Sequence, residues 1–173
     1  MTGNIEYDAR RIFRHACAFA DCALFCEKAP KSIVVRTQWY TVPEIVNSAF
    51  ACEVFMKSIL IFRGLTIDEV HKMNHGLKGL WWALEASDKA MADRVRERIK
   101  NELDLNELDL DDNLFDELLS NISNAFKKWR YIYEDHGGKI HLGFLSTFRD
   151  ELREEGCQIF YKQSWSEYSS GSE

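Results

Sequence analysis

The chain has 173 residues and a formal net charge of −6, with only 9 glycines and 2 prolines. That length suits one domain around a single core, and the scarcity of turn residues argues against sandwiches and barrels and for an all-α fold. The acidic balance excludes holding a long nucleic acid through a broad basic face, while recognition of a single phosphate stays open.

Arg10, Arg11 and Arg14 interrupt the first apolar segment, and no uncharged stretch reaches the length of a bilayer span, so the reading expects no signal peptide, no membrane and a cytoplasmic location. The Asn121-Ile122-Ser123 sequon then has no use. Five cysteines at irregular spacings, without an export signal, read as free thiols. Cys22 and Cys26 lie four apart, but no second pair completes a ligand set, so neither a metal nor a cofactor is expected.

In residues 5–28, Ile12, Ala16, Phe19, Ala20, Ala23 and Cys26 keep a 3.6-residue rhythm opposite Arg10, Arg14, Asp21 and Glu27, which predicts an amphipathic helix ended by Pro30. Residues 32–40 read as a connector. Thr41-Val42-Pro43-Glu44 has the form of a capping box, predicting a second helix over residues 41–63 with Gly64 as its left-handed stop. Its apolar face is wide, with Ile45, Ala49, Cys52, Phe55, Met56, Ile59 and Leu60, and this helix is expected to be the most buried. Glu53 sits beside that face with Lys57 at i+4, either a partly buried pair or an anchor for a cation from another helix, Arg130 being the candidate.

His71 and His75 fall in a loop and read as turn and capping residues, followed by a short helix with Leu80, Trp81, Trp82 and Leu84. Ser87 is the expected cap of a helix reaching Leu103, with Met91, Val95 and Ile99 inward and Arg94, Arg96, Arg98 and Lys100 on a solvated face. Residues 102–117 are acidic; Asp109, Asp111 and Asn113 resemble a calcium loop, but Leu114 and Ser120 stand where glycine and glutamate belong. A helix over residues 114–134 follows, with Ile122, Phe126, Trp129 and Tyr133 as one stripe and Arg130, Glu134 and His136 around its end. A last helix over residues 141–155 is expected to stop at Gly156, and residues 164–173, rich in Ser, Gly and Glu, to be a disordered tail after a single domain over residues 1–163.

Three stretches in this order carry a resemblance: Ala49–Leu60 ending at Gly64; His75-Gly76-Leu77-Lys78-Gly79-Leu80-Trp81; and Phe126 with Trp129-Arg130-Tyr131-Ile132-Tyr133-Glu134. The chain resembles the HEPN superfamily of small helical bundles, known from toxin–antitoxin and phage-defence systems. The resemblance implies an up-and-down four-helix bundle core with additional short helices, commonly a homodimer. Active members are metal-independent ribonucleases with an arginine and a histidine four to six residues apart; Arg130 and His136 satisfy that spacing, while Tyr131 replaces the polar residue usual after the arginine. Arg130 would grip phosphate and His136 move protons, with Glu53, Lys57, Tyr133 and Glu134 binding or supporting. The expected partners are a second copy, RNA, and a cognate antitoxin or other protein. A second reading makes the chain a non-catalytic dimerisation or protein-interaction module presenting Trp81, Trp82, Trp129 and Tyr131. No glycine-rich phosphate loop or nucleophile elbow points to a small-molecule enzyme.

Overall fold

A computed structural model describes residues 2–29, 34–73, 75–103, 112–130 and 140–171. Every regular element among them is a helix: α1 (Thr2–Glu27), α2 (Val34–Phe62), α3 (Ile67–Lys72), α4 (Leu77–Ser87), α5 (Lys89–Glu102), α6 (Asp112–Ile122), α7 (Ala125–Arg130), α8 (Leu142–Tyr161) and α9 (Trp165–Ser170). The all-α expectation holds, and the helices form a bundle. In it α2 is the hub, packing along α1 and touching α3, α4, α7 and α8, while α5 closes against α4 and α8.

The hub position follows from composition. Ile45, Ala49, Ala51, Cys52, Phe55, Met56, Ile59 and Leu60 are all fully buried, so α2 is apolar over more than half its circumference and needs neighbours on several sides. By length and composition Tyr40–Phe62 could cross a membrane, yet 67% of that apolar stretch is buried inside the fold. Its termination is as read: Gly64 adopts φ 108° and lets the Leu65 amide reach back to the Leu60 carbonyl at 3.1 Å.

Aromatic rings fill the bundle in three groups. Phe13 meets Phe55 and Phe160 at 5.3 and 5.1 Å where α1, α2 and α8 converge. Trp81 meets Phe115 and Phe148 at 5.3 and 5.4 Å, tying α4, α6 and α8. Phe50 joins Phe19 of α1 to Phe126 of α7 at 4.6 and 4.8 Å. Each such pair adds about 0.5–1.5 kcal/mol beyond simple burial, and the last group leads directly to the candidate site.

Several boundaries differ from the sequence reading. Residues 34–40 belong to α2 rather than to a connector, and Pro43 lies inside that helix. The helix after Ser87 is capped by Asp88, whose carboxylate accepts from the Met91 amide at 3.0 Å; Ser87 ends α4 instead. The predicted helix over residues 114–134 is broken at Ser123-Asn124 into α6 and α7, because Ser123 spends its carbonyl and hydroxyl on the amides of Leu77 and Lys78. Gly156 does not end α8. It is a close-approach point inside the helix, where a Cβ would meet the Phe13 ring at 2.2 Å, and the stop is Lys162 at φ 59°.

The expected disordered tail contains α9. Ser164 and Glu167 form a capping box, the Arg153 guanidinium lies 4.4 Å from the centre of the Trp165 ring, and Tyr168 stacks on Tyr161 at 4.4 Å. Polar composition hid two aromatic anchors, which dock because α8 presents matching surfaces. The arginines of α5 are likewise not simply solvated: Arg94 and Arg98 converge on Glu155 of α8, Arg98 also meets Glu151, and Arg96 pairs with Glu85 at 2.6 Å.

Candidate functional site

Glu53 is 2% exposed on α2, and a carboxylate taken that far from water must find partners. Lys57, one turn further along the helix, supplies the first, with Nζ 2.7 Å from Oε1. The second comes from a different part of the chain: His75 places Nδ1 2.9 Å from Oε1 and 3.0 Å from Oε2. Against a carboxylate Nδ1 carries the proton, which leaves Nε2 as the nitrogen able to engage a ligand.

Short-range contacts hold His75 in place. Before it, α3 ends at Met73, whose amide donates to the Val70 carbonyl at 3.3 Å. After it, the amides of Leu77 and Lys78 are fixed at 3.1 and 3.0 Å by Ser123 at the α6–α7 break. Phe126 of α7 lies 5.5 Å from the imidazole and stacks on Phe50. His75 is thus held against α2 by the Glu53 carboxylate, the Phe126 ring and the fixed start of α4.

This cluster borders a cleft of about 450 Å³. Its apolar walls are Ile12 of α1, Phe50, Val54 and Ile61 of α2, and Ile67 and Val70 of α3; its polar groups are Glu53, Lys57, His71 and His75. Small-molecule sites commonly have volumes of about 300–1,000 Å³ with mostly apolar walls and a few convergent polar groups.

Of the residues singled out from sequence, Glu53 and Lys57 are brought together as expected for an i, i+4 pair. Among the described residues, the partner reaching Glu53 from outside its helix is His75; the Arg130 contact expected from sequence falls on a side chain outside the described residues. Arg130 closes α7, four positions after Phe126, but its side chain lies outside the described residues, as do Tyr131, Tyr133, Glu134 and His136. Trp81, read as a possible interface residue, is fully buried, whereas Trp82 is 50% exposed.

One buried centre had no signal in the sequence. Arg149 of α8 is fully buried, donating to Ser48 of α2 at 3.0 Å, to Asp150 at 2.9 and 2.8 Å and to Glu27 of α1 at 3.3 Å. Arg153, one turn on, reaches Asp21 and Asp150. These arginines knit α1, α2 and α8 together on a different side of α2 from Glu53, so their role is architectural. Among the described residues no group of three His, Cys, Asp or Glu side chains is placed to hold a metal ion. No family model, no curated protein and no solved structure matches the chain.

Proposed function

We propose that this protein is a HEPN-like, cytoplasmic RNA-binding protein acting as a metal-independent ribonuclease, built on a four-helix core and working as a homodimer of the toxin–antitoxin or phage-defence type. The observation that supports the reading is convergence. The three stretches that carry the resemblance are far apart in sequence, yet they supply Phe50, Glu53 and Lys57 of α2, His75 of the α3–α4 loop and Phe126 of α7 to one cluster. Arg130 ends the helix that Phe126 anchors there.

In this reading His136 takes the proton from a ribose 2′-hydroxyl, the 2′-oxygen bonds to the adjacent phosphorus as the bond from phosphorus to the 5′-oxygen breaks, leaving a 2′,3′-cyclic phosphate, and the departing 5′-oxygen receives its proton from the imidazolium so formed. Arg130 holds the phosphate oxygens as charge builds on them. With a net charge of −6 the grip on RNA is local and not a broad electrostatic field.

The test is cleavage of end-labelled RNA in excess EDTA, beside light scattering for the dimer. Arg130→Ala and His136→Ala should each lower the rate by roughly 100-fold or more while the protein stays folded. Cleavage that survives both substitutions, or that stops with EDTA alone, overturns the assignment. One observation favours the other reading, a non-catalytic interaction module: Trp82 stands half-exposed on α4 with the Lys78 ammonium 4.9 Å above its ring, an anchor suited to a protein partner. Loss of the dimer in Trp82→Ala, with no cleavage by wild type, would select it.

A further inference from the structure

We propose that the cleft between α1, α2 and α3 binds a small amphipathic anion, with its charged head on Lys57 and His75 and its apolar body running toward α3. This site shares Glu53, Lys57 and His75 with the cluster described above but uses neither Arg130 nor His136, so it stands whether or not the chain cleaves RNA.

The head position follows from how Glu53 is satisfied. The buried carboxylate accepts from Lys57 and from His75, so its charge is matched within the protein and it repels an incoming anion only weakly. Among the described residues the Lys57 ammonium makes one hydrogen bond, to Glu53, which leaves two of its three N–H groups for a ligand. His75 spends Nδ1 on Glu53, and its Nε2 donates to an anion when the imidazole is doubly protonated. His71, exposed at the end of α3, borders the same cleft. Lys57 thus offers two unspent N–H donors, and His71 and His75 add positive charge when protonated, so beside an internally paired Glu53 the complement is a negative head.

The body position follows from helix geometry. From Glu53 to Ile61 is eight residues of α2, about 12 Å at 1.5 Å per residue. Along that distance the walls are Val54, Ile61, Ile67 and Val70, with Ile12 across the cleft on α1. Ile67 is 53% exposed at the far mouth, an apolar side chain left in water with nothing over it among the described residues. A ligand that is all head would waste these walls. One that is all tail would cover the two remaining N–H groups of the Lys57 ammonium without an acceptor.

Calorimetric titration of the full chain with octanoate, octyl phosphate, octanol, octyltrimethylammonium and propionate tests the proposal, the first two deciding between a carboxylate and a phosphate head. Octanoate or octyl phosphate should bind at least tenfold more tightly than octanol and than propionate, and the cation should not bind. Lys57→Gln keeps a donor to Glu53 while removing the charge and should erase the preference over octanol. Because a change beside Glu53 can unfold the chain, Ile67→Glu at the exposed mouth is the second variant, expected to weaken octanoate at least tenfold in a protein of unchanged circular dichroism. Octanol binding as tightly as both anions, cation binding, or undiminished binding of octanoate to Ile67→Glu would each overturn the proposal.

Discussion

Gly156→Ala isolates a packing constraint that runs against helix propensity. In an exposed helix this substitution stabilises by about 1 kcal/mol, because glycine loses more backbone entropy on ordering. In α8 the new methyl would sit 2.2 Å from Cε2 and 2.7 Å from Cδ2 of Phe13. Ordinary carbon contacts begin near 3.5 Å, so the ring must retreat by roughly 1.3 Å. It has nowhere to go: Phe13 is fully buried, with Phe55, Phe160 and Tyr161 at 5.3, 5.1 and 6.1 Å. Overpacking of this kind costs about 1–3 kcal/mol, and a rigid ring boxed by rings belongs at the upper end. The net expectation is destabilisation by about 2 kcal/mol, a drop in the urea midpoint of about 1 M at an unchanged slope, and a fall in Tm of about 4–8 °C. The control is Phe13→Leu. In that background Gly156→Ala should cost at least about 1 kcal/mol less, a coupling that only contact between the two sites produces. A Gly156→Ala protein as stable as wild type, or strict additivity with Phe13→Leu, would refute the reasoning.

Arg149→Met should destabilise by about 2 kcal/mol in chemical denaturation, below the usual 3–5 for a broken buried pair because Asp150 and Glu27 are 40% and 42% exposed and can rehydrate; an unchanged midpoint would contradict an architectural role. Stability should also fall in alkali: burial pushes the thiols of Cys17 and Cys157 up to about 12 and about 11 and raises that of Cys52, and burial with the Tyr168 contact pushes Tyr161 up to about 12. The unfolded chain therefore releases these protons first, so stability is level below pH 9 and is lost above it, by about 1.4 kcal/mol per pH unit for each proton; a urea midpoint unchanged up to pH 11 would count against the buried thiols. With a disulfide-exchange reagent at pH 8, exposed Cys22 should react in the native protein, whereas Cys17, Cys52 and Cys157 should react only after unfolding; rapid titration of all five thiols would show that the core is misassigned.

The helices were legible wherever one residue's environment follows from its neighbours in sequence. The rhythm of Phe19, Ala20 and Ala23 places α1, the run from Ile45 to Leu60 marks α2 as the hub, and Gly64 stops it. The Glu53–Lys57 pair is an i, i+4 relation and was equally readable. Periodicity failed where a distant group changed the local outcome. Ser123 looks like one more polar position on a helix until Leu77 and Lys78 claim its carbonyl and hydroxyl; Gly156 looks like a stop until Phe13 occupies the space a side chain would need.

From sequence alone come the all-helical class, the central helix and a buried carboxylate with its first partner, because helix propensity, amphipathic period and i, i+4 contacts are properties of contiguous residues. Only the tertiary structure decided that His75 completes Glu53, that Arg149 is fully buried among α1, α2 and α8, and that α3 closes one side of an apolar cleft. Those are meetings of side chains 22 to 122 positions apart, and the packing of helices around α2 selects them. A buried charge demands a partner, but which distant residue answers is set by where the chain returns.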